Sequence, residues 1–262
     1  MEIILDLTSQ HARFLFIFSW LFPKLAFRGF RIFFKQLAFI TFVTEPIIYV
    51  MKLEELRQNY TKGRLLIAEA PQDPFILFKK WFDDAMQAGT IEPNAMVVNT
   101  CDKEGRLSSR VVLLKEFSNK GFVFYTNYNS VKGHQISEHP EVSLLFWWQL
   151  TERQVEIHGS VYKISAAESD HYFDSRPFES RIGAIVSDQS KVIEGDNYMD
   201  EKFQNMLEQS DTNSIKRPDH WGGFLVDPDQ FRFWQGRPGR LHDRLRYKQD
   251  GRGGWMIERL AP

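Results

Sequence analysis

Between Ala95 and Ile164 the chain reads as five strand-like runs, three of whose four connections are too short for a crossover helix. Ala95–Cys101 and Leu107–Glu116 flank Asp102-Lys103-Glu104-Gly105, a turn tetrad with glycine late in the loop. Ser118-Asn119-Lys120-Gly121 makes a second turn, and Phe122–Asn127 is the third strand. A short helix over Ser130–His139 stops before Pro140, and Val142–Gln149 and Gln154–Ile164 follow as strands. Consecutive strands with such links pair antiparallel, because a parallel pair needs a connection of roughly a dozen residues or more. The pattern restricts the fold to an antiparallel meander or barrel and excludes a doubly wound parallel sheet.

Helices flank this region. Asp73 can cap a helix that Pro74 opens and Gly89 stops. Phe75, Phe78, Phe82 and Met86 recur on it at helical spacing, which predicts a core stripe. Ser165 and Glu168 form a capping-box pattern for a helix running towards Ser175. Further helices are predicted over Ser180–Val186 and Asp196–Gln209. The tail returns to strands at Gly222–Val226, Phe231–Gln235, Leu241–Tyr247 and Trp255–Leu260. Met51–Ala70 is polar and basic and reads as a helical turn followed by a loop. Residues 51–262 therefore read as one mainly β, barrel-like domain with helices packed outside.

Residues 1–50 differ in character and hold ten of the 23 phenylalanines. Their apolar runs, Phe14–Pro23 and Gln36–Val50, are separated by Lys24, Arg28, Arg31 and Lys35. Neither reaches the roughly 18 uninterrupted apolar residues of a spanning helix. Three readings stay open for this aromatic-rich extension: an upstream stretch ahead of a start at Met51, a targeting segment, or a membrane-surface segment. For 51–262 membrane association is not expected. A net charge of −1 gives no basic excess for nucleic acid. The one cysteine, Cys101, leaves no internal disulfide and no Cys-x-x-Cys pair, and reads as a small buried hydrophobe. That usage suits a reducing, cytoplasmic location.

Several common chemistries lack their motifs. There is no G-x-G-x-x-G after a strand, no P-loop, no His-Glu-x-x-His and no G-x-S-x-G. His134 and His139 read as solvent-facing, and no metal site is expected.

Five short segments instead combine cations, hydroxyls and aromatic rings. Arg110 and Lys115 lie five residues apart on a predicted strand, so they should face opposite sides and serve two anions, or leave one cation solvated. Tyr125-Thr126-Asn127 leads into Ser130-Val131-Lys132-Gly133, where a strand meets a helix start. Free N–H groups and a lysine there suit a phosphate, or equally an ordinary cap with an exposed Lys132. Tyr172, Ser175-Arg176-Pro177 and Ser180 can offer a phosphate a planar cation and hydroxyl donors. Gln189-Ser190 adds amide and hydroxyl donors. Trp234-Gln235-Gly236 and Arg240-Leu241-His242-Asp243-Arg244 place an aromatic plane beside guanidiniums and an imidazole, suited to a flat anionic heteroaromatic ligand or to plain salt bridges. Together these segments suggest pockets for phosphorylated aromatic ligands without identifying them.

In order and spacing, residues 52–262 closely resemble the pyridoxine/pyridoxamine 5′-phosphate oxidase family. The matching stretches include Leu56-Arg57-Gln58-Asn59-Tyr60, Arg110 to Lys115, Phe124 to Asn127, Glu152 to Val155, Tyr172 to Pro177, Val186 to Ser190, Trp221-Gly222-Gly223, Phe233 to Gly236, Arg240 to Arg244 and Glu258 to Pro262. The resemblance implies an FMN-binding split β-barrel homodimer with FMN in clefts at the subunit interface. It implies oxidation of pyridoxine or pyridoxamine 5′-phosphate by dioxygen to pyridoxal 5′-phosphate, with hydrogen peroxide released. By the same resemblance Arg110, Val111, Val112, Leu113, Tyr125, Thr126, Lys132, Gln154, Gln189, Ser190, Trp234 and Arg244 contact FMN. Lys115, Tyr172, Arg176 and Ser180 hold the substrate phosphate. Arg240, Leu241 and His242 lie at the pyridine ring, Arg240 and His242 as catalytic residues, and Arg57 and Tyr60 close the site. One position departs: the family usually has Ser-Arg-Lys where this chain has Ser130-Val131-Lys132, which implies weaker FMN binding. Two rivals remain, a split-barrel flavin enzyme with another substrate and a non-catalytic FMN- or pyridoxal-phosphate-binding protein.

Overall fold

The computed structural model describes residues 56–212 and 214–262. The readings placed on residues 1–50 lie outside the described residues. Two compact units are distinguished, Met1–Arg57 and Gln58–Pro262, and the second carries the fold.

Among the described residues nine antiparallel strands form one branched sheet. They are β1 (Ala95–Cys101), β2 (Leu107–Leu113), β3 (Glu116–Ser118), β4 (Gly121–Asn127), β5 (Glu141–Trp148), β6 (Arg153–Lys163), β7 (Trp221–Gln235), β8 (Asp243–Gln249) and β9 (Trp255–Leu260). The order runs β2-β1-β5-β6-β7-β4-β3, with β8 also on β7 and β9 on β8. The long strand β7 makes the branch. Trp221 to Val226 pair with β4, whereas Gln230 to Gln235 pair with β8. Strand β6 follows β7 along both halves, with a register shift between His158 and Gly159 opposite Pro228.

The sequence signal had split β7 in two at Asp227-Pro228-Asp229. The structure corrects this: the strand continues through Pro228 as an irregularity, where a residue lacking an N–H costs no regular ladder bond.

Among the described residues five helices accompany the sheet: α1 (Pro74–Gln87), α2 (Val131–Glu138), α3 (Ala166–Ser175), α4 (Phe178–Val186) and α5 (Tyr198–Gln209). The Asp73 side chain accepts from Phe75 N at 2.8 Å and caps α1, while Ser165 and Glu168 close the expected capping box on α3. On α1 the buried stripe is Leu77, Phe78, Trp81 and Ala85; Phe75 and Phe82 pack at its margin. Met86, expected in that stripe, is exposed, because the stripe is centred one residue away from the phenylalanine spacing.

Strands β1, β5 and β6 bury every second residue, so one face makes the core and the other stays partly open. Phe78 is fully buried and meets Phe122 edge to face at 4.9 Å and Phe146 at 5.1 Å. Each such ring contributes about 1.5–3 kcal/mol through burial. A second small core of Phe173, Ala184 and Trp221 fixes α3 and α4 to the start of β7. A third, of Ile182, Val186 and Ile215, packs α5 behind α4. These two satellites place a helical wall beside the C-terminal end of β4. Among the described residues no helix is long and apolar enough to cross a membrane.

Candidate functional site

A cavity of about 850 Å3 opens between that wall and the ends of β2 and β4. Strand β2 contributes Arg110, Val111, Val112 and Leu113, and β4 contributes Tyr125, Thr126 and Asn127. Val131 and Lys132 enter from the first turn of α2, Tyr172 and Arg176 from the end of α3, and Ser180 from α4. Gln189 and Ser190 follow α4, and Lys115 sits on the link between β2 and β3.

Arg110 and Lys115 both line the cavity, contrary to the alternation expected of one continuous strand. Strand β2 ends at Leu113, so parity no longer applies to Lys115.

Lys132 is not the exposed lysine of an ordinary cap; it is 8% exposed. Its Nζ donates to Gln189 Oε1 at 2.8 Å, Thr126 Oγ1 at 3.0 Å and Ser130 Oγ at 3.3 Å. Arg110 Nη1 donates to Thr100 Oγ1 at 2.6 Å and to the carbonyl oxygens of Ser108 and Val98. Neither cation pairs with a carboxylate among the described residues. Burial, then repulsion from Arg110, pulls Lys132 down to about 8, and burial also lowers Arg110. Two neighbouring desolvated cations beside a helix N-terminus have the chemistry to hold an anion.

A further cation without a carboxylate partner among the described residues lies along the helical wall. Arg176 Nη1 is buried without a hydrogen-bond partner, and the guanidinium lies 4.8 Å from the Trp221 ring. Burial lowers its pKa, with Tyr172 acting in the opposite direction. Leaving such a donor unsatisfied costs about 1–3 kcal/mol, which an incoming anion removes. Tyr172 stacks on Tyr125 at 3.9 Å, and Tyr125 on Trp221 at 5.4 Å. Burial, followed by Glu116 and neighbouring groups, pushes Tyr125 up to about 12, so its hydroxyl stays protonated. Trp221, which sequence reasoning did not select, thus touches both the aromatic stack and the arginine. Nothing local distinguishes it from a core tryptophan.

Gln154, Trp234 and Arg244 do not line this cavity. They occupy one cross-strand row, Gln154 opposite Trp234 and Trp234 opposite Arg244. His242 joins them, 4.6 Å from Trp234 between ring centroids. Tyr60 completes the cluster at 5.5 Å from Trp234 and 5.7 Å from His242. Gly236 permits this approach, since a Cβ there would come within 2.7 Å of the Tyr60 ring. Arg240 and Leu241 are exposed on the loop between β7 and β8. Burial, then Arg240 and Arg244, holds His242 below the ordinary imidazole value. Arg57 is exposed and falls in the other compact unit. The candidate residues therefore divide into a cavity cluster and a β7–β8 cluster.

Both clusters, Tyr60 excepted, fall within stretches matched by family models. A family model described as pyridoxamine 5′-phosphate oxidase matches residues 82–209, which contain the cavity cluster except Trp221. A model of the pyridoxine 5′-phosphate oxidase C-terminal dimerisation region matches residues 221–262, which contain Trp234, Arg240, His242 and Arg244. A Gloeothece citriformis protein named pyridoxine/pyridoxamine 5′-phosphate oxidase is 51% identical over 210 residues, covering 80% of this chain and 98% of that one. A Bordetella pertussis protein of the same name is 50% identical over 212 residues, covering 81% and 100%. Among solved structures, PhzG from Burkholderia lata, in complex with tetrahydrophenazine-1-carboxylic acid, superposes with a TM-score of 0.72. It is 28% identical and covers 77% of this chain and all of that one. The antiparallel half-barrel with five helices is the fold of these proteins, and the dimerisation region supports a homodimer. On two family models and half-identical relatives over four fifths of its length, the chain belongs to the pyridoxine/pyridoxamine 5′-phosphate oxidase family.

Proposed function

We propose that the chain is an FMN-dependent oxidase that converts pyridoxine 5′-phosphate or pyridoxamine 5′-phosphate to pyridoxal 5′-phosphate, with dioxygen consumed and hydrogen peroxide released. The observation that carries this reading is two groups of wholly or partly buried cations, Lys132 with Arg110 and Arg176, lining one cavity together with stacked aromatic rings. Two phosphate esters of flat ring systems suit that arrangement. Lys132 and Arg110, with Thr126, Gln189 and Ser190, would hold the FMN phosphate. Arg176, with its orphaned Nη1, would hold the substrate phosphate together with Tyr172, Ser180 and Lys115. A flavin held by these residues would supply the acceptor for the two electrons removed at substrate C4′, with dioxygen as the final oxidant.

The chain's own contribution is orientation and charge. Clamping a remote phosphate fixes the substrate ring without touching the reacting carbon, and can contribute several kcal/mol to the barrier. Gln154, Trp234, Arg240, His242 and Arg244 lie outside the cavity of one chain and, Gln154 excepted, in the dimerisation region. A second copy is the natural source of these groups for each cavity. His242 accepts a hydrogen bond at Nδ1 from Arg237 N at 3.1 Å, which leaves Nε2–H to donate to substrate. Arg240 supplies positive charge at the pyridine ring.

The 28% likeness to PhzG keeps a related flavoenzyme with another substrate in view. Turnover decides. Purified holoprotein given pyridoxine 5′-phosphate should consume dioxygen and form pyridoxal 5′-phosphate and hydrogen peroxide in equal amounts. Tight binding without turnover would leave a carrier, and turnover with a different ring system alone would leave the other flavoenzyme.

Two further outcomes are expected of the cofactor site. FMN affinity should be constant from about pH 6, where a phosphate monoester becomes dianionic, to about pH 8. Above that it should fall by up to about tenfold per pH unit, because the free protein releases the Lys132 proton that the bound anion requires. The groups facing Lys132 are Arg110, Thr126, Ser130 and Gln189. Fluorescence titration across pH 6–10 reads this; a flat profile would mean that Lys132 does not meet the phosphate. Val131 is 47% exposed and lines the cavity beside Lys132. Val131→Arg should tighten FMN about tenfold at low salt, and less as salt screens the pair. Equal flavin dissociation from both proteins would show that the departure at this position has no weight.

A further inference from the structure

The loop between β7 and β8 carries an internal clasp that the proposed reaction has not yet used. Its second residue, Arg237, is bound twice. Its backbone N–H donates to His242 Nδ1 at 3.1 Å, and its guanidinium Nη1 donates to Asp243 Oδ1 at 3.2 Å. Asp243 is fully buried. Its Oδ2 accepts from Leu65 N at 3.0 Å, and its Oδ1 also accepts from Arg259. Arg259 Nη1 in turn donates to the Leu65 carbonyl at 3.3 Å. One carboxylate thus joins the segment after Tyr60, the β7–β8 loop and the last strand.

Between the two ends of the clasp the backbone is strained. Gly239 has φ 65° and Arg240 has φ 61°, consecutive left-handed residues. For a non-glycine residue this costs on the order of 1–3 kcal/mol and persists when the surroundings over-determine it. The strained residue is the one assigned to the pyridine ring.

We infer that Arg237, anchored on the buried Asp243 carboxylate, is a positioning residue that selects the Nε2–H tautomer of His242 and holds the loop carrying Arg240. This rests on the reading of His242 as a substrate-contacting residue. A neutral imidazole has one donor and one acceptor nitrogen, and the partner of one nitrogen decides the other. Here the partner is a backbone N–H whose place depends on the Arg237 side chain. The clasp also sets local charge. The groups around His242 are the cations Arg240 and Arg244, the rings of Tyr60 and Trp234, and the Arg237–Asp243 pair. Burial and the two cations already hold the imidazole below its usual value. Removing the Arg237 charge strengthens the field of Asp243 next to it in sequence, so the imidazole should take a proton more readily.

Arg237→Met removes the side-chain half of the clasp and leaves Asp243 with Leu65 N and Arg259, so β8 keeps its anchor. The test uses the full-length holoprotein. Imidazole nitrogen NMR, with His242 assigned by His242→Asn, reports tautomer and titration directly. The native protein should show a single Nε2–H tautomer. Arg237→Met should show mixed tautomers and an upward shift of the His242 titration. Its kcat/KM for pyridoxine 5′-phosphate should fall roughly five- to tenfold, the loss of about one ordinary hydrogen bond's positioning, and the acid limb should move up with the titration. Arg237→Lys should restore much of both. Arg237→Gln, which keeps a donor without the charge, should retain the tautomer yet still move the limb, and answers the question if the Met variant folds poorly. Unchanged tautomer and unchanged acid limb in the Met and Gln variants would overturn the inference. Altered tautomer with unchanged kcat/KM would leave the clasp standing and instead remove His242 from the reaction.

Discussion

Arg176→Ala should raise the KM for pyridoxine 5′-phosphate by about ten- to a hundredfold while the purified protein stays yellow. A charge-assisted hydrogen bond contributes on the order of 1.5–3 kcal/mol, and each 1.4 kcal/mol is tenfold in affinity. Arg176 has a buried Nη1 without a partner, so the free protein already bears the desolvation of this cation. Ligand binding recovers that cost, and the alanine variant has nothing to recover. Arg176→Lys should restore only part of the loss, because an ammonium lacks the planar fork that lies over Trp221. Flavin should remain because its phosphate is assigned to Lys132 and Arg110, from other elements. Loss of flavin from Arg176→Ala, with substrate KM intact after reconstitution, would exchange the two assignments.

Lys132→Met should weaken FMN by about ten- to a hundredfold on the same arithmetic. The apoprotein should gain stability at neutral pH. An ammonium buried to 8% exposure, with Arg110 beside it and oxygen acceptors but no carboxylate among the described residues, bears a desolvation cost that a methionine of similar length avoids. Thermal melts with and without FMN therefore diverge: the melting point of the apo variant rises and the shift on adding FMN shrinks. With saturating FMN the substrate KM should stay close to native. An unchanged FMN-induced shift would place the cofactor phosphate elsewhere.

How far these residues could be read from sequence depended on the range of the interactions involved. The α1 and α3 caps were legible, since Asp73 and Ser165 act within three residues. Strands β1, β5 and β6 were legible from alternation. Continuity of β7 through Pro228 was not, because it depends on β6 lying alongside both halves, some seventy residues away. Arg110 and Lys115 were expected on opposite faces; a strand end at Leu113, fixed by pairing with β1, brought them to one cavity. The burial of Lys132 depends on Thr126 and on Gln189, so local sequence allowed an exposed cap equally well. The family resemblance named most candidate residues, but not their division into two clusters. That division follows from cross-strand register, with Gln154 opposite Trp234 and Trp234 opposite Arg244. Trp221 and Arg237 escaped because their roles rest on contacts with Arg176 and Asp243, and neither residue type signals such a role alone.

The central claim is that one oxidase site is built from the cavity cluster of one chain and the β7–β8 cluster of another. Mixing Arg176→Ala protein with Arg240→Ala protein, assayed at substrate concentrations below the native KM where each is nearly inactive, tests it most directly. After unfolding and refolding together with FMN, half of the dimers are mixed. Each mixed dimer has one site with both changes and one with neither. Activity with pyridoxine 5′-phosphate should return to about a quarter of the native value, as statistical reassortment of a two-fold dimer requires. No recovery, with mixed dimers shown to form by mass, would mean that Arg176 and Arg240 serve a site within one chain, or no common site at all.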